Sequence, residues 1–230
     1  MARKYGKLCT AAQAGMKVLR PGWKVEVVPP DEPTVYICSH HNMQGPITTV
    51  AFFPFHIRAW VLHVFFDRDA CYRQYADYTF TARFGMPRWL GSALAKIVSG
   101  AVSTLMHSID AIPVYRGTSK IMATFRESLD TLKEGENIII FPDIAYSEEE
   151  AGIGSIYEGF LMLEKNWRRT QGTNLRFVPL YVDESRKVVV EGAEIRFDPD
   201  KAFKDDMPRV SAAIRDSINQ MAEQAQKTSK

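Results

Sequence analysis

No stretch of this sequence reads as an uninterrupted membrane span, which needs roughly 20 apolar residues in a row. The best runs, residues 51–55 and 59–66, are far shorter. Cysteine is scarce. Cys9, Cys38 and Cys71 are odd in number and lack paired spacing, which excludes a disulfide framework and a zinc site and suits a reducing compartment. The histidines are His40, His41, His56, His63 and His107, and no two stand at metal-ligand spacing. No metal or bound cofactor is expected. Gly-x-Ser-x-Gly is missing, which argues against a serine-hydrolase elbow. No glycine-rich phosphate loop is present either: Gly152-Ile-Gly154 begins like a dinucleotide fingerprint but lacks the third glycine. An excess of one charge is lacking too. Lysine plus arginine is 29 against 27 acidic residues, a net +2, so no nucleic-acid partner is expected. The basic start is followed by a stretch broken by Gln13, Lys17 and Arg20, so no secretion leader is expected.

What remains is the composition of a globular chain, 230 residues with 46% apolar and 24% charged side chains. One domain over 1–230 is the simplest organisation. The aromatics are crowded, with Phe52, Phe53, Phe55, Trp60, Phe65 and Phe66 close together. Such rings suit an acyl groove, a membrane interface or plain core packing. Tyr5, Leu8, Cys9, Ala12, Met16 and Leu19 fall at helical spacing among lysines and arginines. Residues 1–22 therefore read as a basic amphipathic helix, packed on the domain or lying on anionic lipid.

Short apolar runs then alternate with helical patterns. Strands are predicted over 24–28, 34–38, 112–115, 137–141 and 176–182. Helices are predicted over 119–133, 155–169 and 207–225. Residues 188–190 and 194–197 suggest a hairpin around Glu191-Gly192 within a terminal section of 184–230. The fold class is therefore α/β, with a largely parallel central sheet flanked by helices and amphipathic helices at both ends. The acidic run 148–150 reads as a solvated loop, and His63, inside an apolar run, reads as a core histidine.

Three polar motifs directly follow predicted strands: Ser39-His40-His41-Asn42, Arg116-Gly117 and Pro142-Asp143. Ligands of open α/β sheets bind beyond the carboxyl ends of the strands. If these strands are parallel, a base, an anion clamp and a carboxylate converge on one edge.

These motifs resemble the ordered blocks of the glycerol-phosphate and lysophosphatidate acyltransferases. Residues 39–46, Ser-His-His-Asn-Met-Gln-Gly-Pro, resemble the first block, Asn-His-x4-Asp. Ile112-Pro-Val-Tyr-Arg116-Gly117 resembles the arginine block. Phe141-Pro142-Asp143-Ile-Ala-Tyr-Ser147 is similar to Phe-Pro-Glu-Gly-Thr-x-Ser, and Phe177-Val-Pro179-Leu180 to the final Val-Pro strand. The resemblance covers 34–183. In the first block the aspartate position holds Gly45, or Pro46 when counted from His41. In the third, Asp143 replaces glutamate and Ile144 glycine.

The resemblance implies transfer of a fatty acyl group from acyl-CoA or acyl carrier protein to the hydroxyl of a lysophospholipid or glycerol phosphate. His40 is then the general base, with His41 in reserve and Asp143 as the acid of the site. Arg116, Gly117, Asn42, Pro142 and Ser147 are implied on the substrate side. Asn42, Asp67, Asp143 or a backbone carbonyl stands in for the missing aspartate, and Arg83 and Arg88 add positive potential. A neutral imidazole suits proton removal at pH 7. The expected location is cytoplasmic, peripheral to the inner face of a membrane. Two alternatives stand beside this: a non-catalytic lipid- or acyl-binding protein on the same fold, and an acyltransferase or thioesterase for a non-glycerolipid acceptor.

Overall fold

The computed structural model describes residues 4–144 and 152–228. Ser147 and the acidic run 148–150 lie outside the described residues. The described chain forms a single α/β domain around a seven-stranded sheet.

The strands are β1 (Lys24–Glu26), β2 (Thr34–Cys38), β3 (Ile57–Leu62), β4 (Ile112–Val114), β5 (Asn137–Ile140), β6 (Arg176–Asp183) and β7 (Val188–Glu191). Their order across the sheet is β1-β7-β6-β2-β5-β3-β4. From β6 through β2, β5 and β3 to β4 every neighbour is parallel. Strands β7 and β1 run the other way. The central strands are buried along their whole length, which is why β2 and β5 read as continuous apolar runs.

Helices cover both faces. On one lie α5 (Ile121–Lys133), α6 (Met162–Gln171) and α7 (Phe203–Thr228), which bury Phe125, Leu129, Leu163, Trp167, Ile214 and Ile218 against the sheet. Each such side chain contributes about 1.5–3 kcal/mol of burial. On the other face lie α1 (Lys7–Leu19), α2 (Gln44–Phe52) and α4 (Arg88–Ser108). Cys9 of α1 packs there with Ile109 and Ala111, and Phe53, just past α2, packs on Tyr36. Helix α1 is only partly covered: Leu8, Val18 and Leu19 are exposed.

Several expectations change. The strand β3 and the helices α2 and α4 are additions to the sequence reading. Strand β7 pairs antiparallel with β6 through the turn after Asp183, so the hairpin is β6–β7 and not 188–190 with 194–197. Within 194–197, Ile195 bridges to Phe177. The helix predicted over 155–169 starts later, as a 3-10 turn Glu158–Leu161 leading into α6. His63 is not a core residue: it caps the end of β3, half-buried, with Nδ1 3.2 Å from the Val114 carbonyl and its ring stacked on Tyr115. Asp67 is spent as the N-cap of α3 (Arg68–Arg73), where it accepts from the Ala70 N–H at 2.7 Å. The expectation of no span-like segment also changes, because α4 is long and apolar enough to cross a bilayer by length and composition. Gly, Ala and Ser interleave with its larger apolar residues and Lys96 sits midway, so no unbroken run shows.

Between β3 and β4 the chain makes a helical hairpin. Helix α3 continues as a π-helix over Gln74–Arg83, turns at 84–87, and returns as α4. Beneath it, buried Arg58 donates to the Asp110 carbonyl (2.7 Å), Thr131 Oγ1 (2.6 Å) and Glu127 Oε1 (2.6 Å). His56 is buried beside Glu136, with Nδ1 3.1 Å from its carboxylate.

Candidate active site

Because β2, β5, β3 and β4 are parallel neighbours, their carboxyl ends form one edge. Strand β2 delivers Ser39 and His40 there, β5 delivers Phe141, Pro142 and Asp143, and β4 delivers Tyr115 and Arg116. The convergence expected from strand direction is therefore present for His40, Asp143 and Arg116.

His40 and Asp143 meet directly. Asp143 Oδ2 accepts the main-chain N–H of His40 at 2.6 Å. A charge-assisted bond of this length is among the stronger ones. It ties the carboxylate to the backbone of the histidine turn. The His40 ring lies edge-on to Phe141, with centroids 5.9 Å apart. Burial lowers the His40 pKa below the ordinary histidine value, so the imidazole is neutral at pH 7. Burial raises the Asp143 pKa. Hydrogen bonds from the His40 and Asp143 N–H groups oppose that rise, and so do the neighbouring Ser39 and His41.

The turn after β2 carries backbone strain. His41 has φ 37° and Met43 φ 77°, both in the left-handed region that non-glycine residues avoid. Asn42 lies in the same short 3-10 turn. Gly45 lies in the first turn of α2, and a Cβ there would sit 2.0 Å from the Ser39 carbonyl oxygen. The position at which the resembled family carries its aspartate thus has no room for a side chain. The acid of this site arrives from the neighbouring strand, as Asp143.

Arg116 comes from two strands further along. It is exposed, and its guanidinium lies 4.4 Å from the Tyr157 ring centroid. Tyr157 in turn donates its N–H to the Pro142 carbonyl at 2.8 Å. Tyr157 therefore links the arginine to the Asp143 turn. The ring folds over Gly159, where a Cβ would meet it at 2.5 Å. The role of Tyr157 depends on a chain reversal invisible in sequence. Gly117 has φ 71° and lets the chain turn away behind the arginine. Among the described residues no carboxylate pairs with Arg116, which leaves its charge available to an anion.

A return segment closes the site from the side. Asp143 and Ile156 form an antiparallel bridge, and Ser39 Oγ donates to the Gly152 carbonyl at 3.1 Å. Helix α7 holds this segment in place: the Asn219 side chain accepts from the Ile153 N–H (2.8 Å) and donates to its carbonyl (3.1 Å). Arg83 and Arg88 stand on the helical hairpin, not on a strand end. Among the described residues no group of three His, Cys, Asp or Glu side chains is arranged to hold a metal ion. The arrangement places on one edge a neutral half-buried imidazole, a half-buried carboxylate and a guanidinium that no carboxylate among the described residues pairs. In comparisons with family models, curated proteins and solved structures, nothing matches the chain.

Proposed function

We propose that this protein is an acyltransferase that moves a fatty acyl group from acyl-CoA or acyl carrier protein to the hydroxyl of a phosphate-bearing lysolipid or glycerol phosphate. The observation that carries the reading is the meeting of His40 and Asp143 on the edge to which a parallel strand also brings Arg116.

The acceptor hydroxyl attacks the thioester carbonyl carbon. Its proton passes to the neutral His40 ring as the new C–O bond forms. The tetrahedral intermediate then collapses. The C–S bond breaks, the proton leaves His40 for the thiolate, and ester and free thiol result. Asp143 holds the turn that presents His40, through the main-chain N–H. Arg116 grips the acceptor phosphate and fixes the hydroxyl near the base, and positioning of this kind is worth several powers of ten in rate.

Incubation with labelled acyl-CoA and a panel of acceptors tests the reading. His40→Ala should lower turnover by about 10²-fold or more, the typical contribution of a general base. Unchanged turnover would sink the assignment. Arg116→Ala should raise KM for a phosphate-bearing acceptor and leave a neutral acceptor unaffected. The second reading is a non-catalytic lipid or acyl binder. Gly45 favours it, because the family's aspartate position is filled by backbone packing. Saturable acyl-CoA binding without product would select that reading.

A further inference from the structure

The hairpin between β3 and β4 packs the wrong way round for a helix pair in water. Its inner seam is made of small residues. Gly91, Ala95 and Ser99 of α4 are buried, and so are Cys71 of α3 and Ala76 of the π-helix. A Cβ at Gly91 would already stand 3.1 Å from Thr81 Oγ1 and 3.2 Å from Phe80 Cβ. Part of the large apolar surface faces outward, while Leu90, Leu94, Val98 and Val102 are half-buried. Trp89 and Ile97 are each 74% exposed, and Phe84 at the turn is 57% exposed. Ala93 and Ala101 continue the Trp89–Ile97 stripe at a spacing of four, and both are exposed. Small residues inside and large apolar residues outside is the pattern of helices packed within lipid.

Two further observations point the same way. Helix α4 is apolar enough for a bilayer, yet only 22% of its most apolar window is buried in the protein, so it is not a covered core helix. From residue 78 to residue 108 the charged side chains are Arg83, Arg88 and Lys96, and the one acid beside them is Asp77 of the π-helix, 3.8 Å from the exposed Arg88. An apolar stripe flanked by cations fits an anionic phospholipid surface. The other leg of the hairpin, residues 68–83, carries Arg68, Asp69, Arg73, Asp77 and Arg83, too many charges to cross a bilayer beside α4. One end of α4 turns at 84–87 into the π-helix, and the other runs through Ile109 and Ala111 into β4. Lys96 midway along the helix reaches up to the headgroups from a shallow position.

We propose that the α3–π–α4 hairpin seats the protein on an anionic phospholipid bilayer, with the outer stripe of α4 in the interface of one leaflet. The hairpin springs from the carboxyl end of β3, the edge that carries His40 and Arg116. The exposed Val18 and Leu19 stand near that same edge, since Arg20 reaches Gln44 Oε1 at the start of α2 (3.1 Å). That edge of the sheet therefore lies beside the lipid contact. The sense of this proposal rests on the lipid-acting reading above, but its test does not pass through turnover.

The test is flotation of the full chain with phosphatidylcholine vesicles, with and without phosphatidylglycerol. The wild type should float with the anionic vesicles. Trp89→Ala combined with Ile97→Ser should lower partitioning by about tenfold or more. Val28→Ser, an equally exposed apolar site beyond β1 at the opposite edge, should leave it unchanged. Arg83→Glu with Arg88→Glu should remove the preference for phosphatidylglycerol, which keeps the test open if the apolar pair proves insoluble. His40→Ala should bind vesicles like wild type, so loss of turnover and loss of docking are read separately. Equal binding by wild type and the Trp89/Ile97 variant would overturn the proposal. So would a wild-type dimer that the same pair of substitutions converts to monomer without any vesicle binding.

Discussion

At His40 and Asp143 burial pushes two pKa values in directions that can be measured separately. His40 is held neutral because a buried imidazolium is poorly solvated. Its proton is disfavoured in the folded state, so stability falls as pH drops below the ordinary histidine value of 6.5 towards the lowered folded one. The rising limb of kcat/KM should accordingly lie below the range of an exposed histidine, and a limb above it would reject His40 as the base. Asp143 has the opposite sign. Its folded pKa is raised above 3.8, so the ionised carboxylate costs stability at neutral pH. Any stabilisation from the protonated form is present at low pH and lost as pH rises through the folded value. Asp143→Asn keeps an oxygen for the His40 N–H and removes the charge. It should leave Tm at pH 7 unchanged or higher while lowering turnover. A drop of several degrees would show that the carboxylate supports the fold instead.

At the scale of the element, the turn from β2 into α2 decides the shape of the site. Gly45 lets the helix start lie against the end of the strand. Gly45→Ala should destabilise the protein by about 1–3 kcal/mol, because the Ser39 carbonyl must move. Denaturant unfolding would read this as a lower midpoint at unchanged slope. An unaffected midpoint would mean that the turn gives way to the added methyl at no cost. The sequence alone showed that a glycine stood where an aspartate was expected. It did not show that the space was closed. Strands β2 and β5 were legible because a buried parallel strand is a plain apolar run. Helix α4 was not legible, since Gly91, Ala95 and Ser99 make its buried seam while Trp89 and Ile97 face outward. Large apolar residues at helical spacing then no longer mark the protein-facing side. Strand β3 was hidden for another reason: it alternates little and runs into the aromatic cluster through His63.

For the whole molecule, the last helix governs a loop far away in sequence. Asn219 binds both the N–H and the carbonyl of Ile153, and that segment leads directly to Tyr157 and so to Arg116. Asn219→Ala should cost about 1–3 kcal/mol, since it leaves partly buried backbone groups unpaired. For a chain of this size that is a fall of several degrees in Tm. It should also raise KM for the phosphate-bearing acceptor, because Tyr157 loses its anchor. A fall in Tm with an unchanged KM would confine Asn219 to the fold.

The sequence by itself determined the α/β class, the parallel core strands and the polar motifs at their ends. Those follow from apolar periodicity and from the rule that such sheets place ligands at one edge. Only the tertiary structure decided which acid stands beside His40, because Asp143 reaches it through sheet order and not through spacing. The same holds for the hairpin. Whether an apolar side chain faces protein or solvent depends on what packs beside it, and composition does not record that.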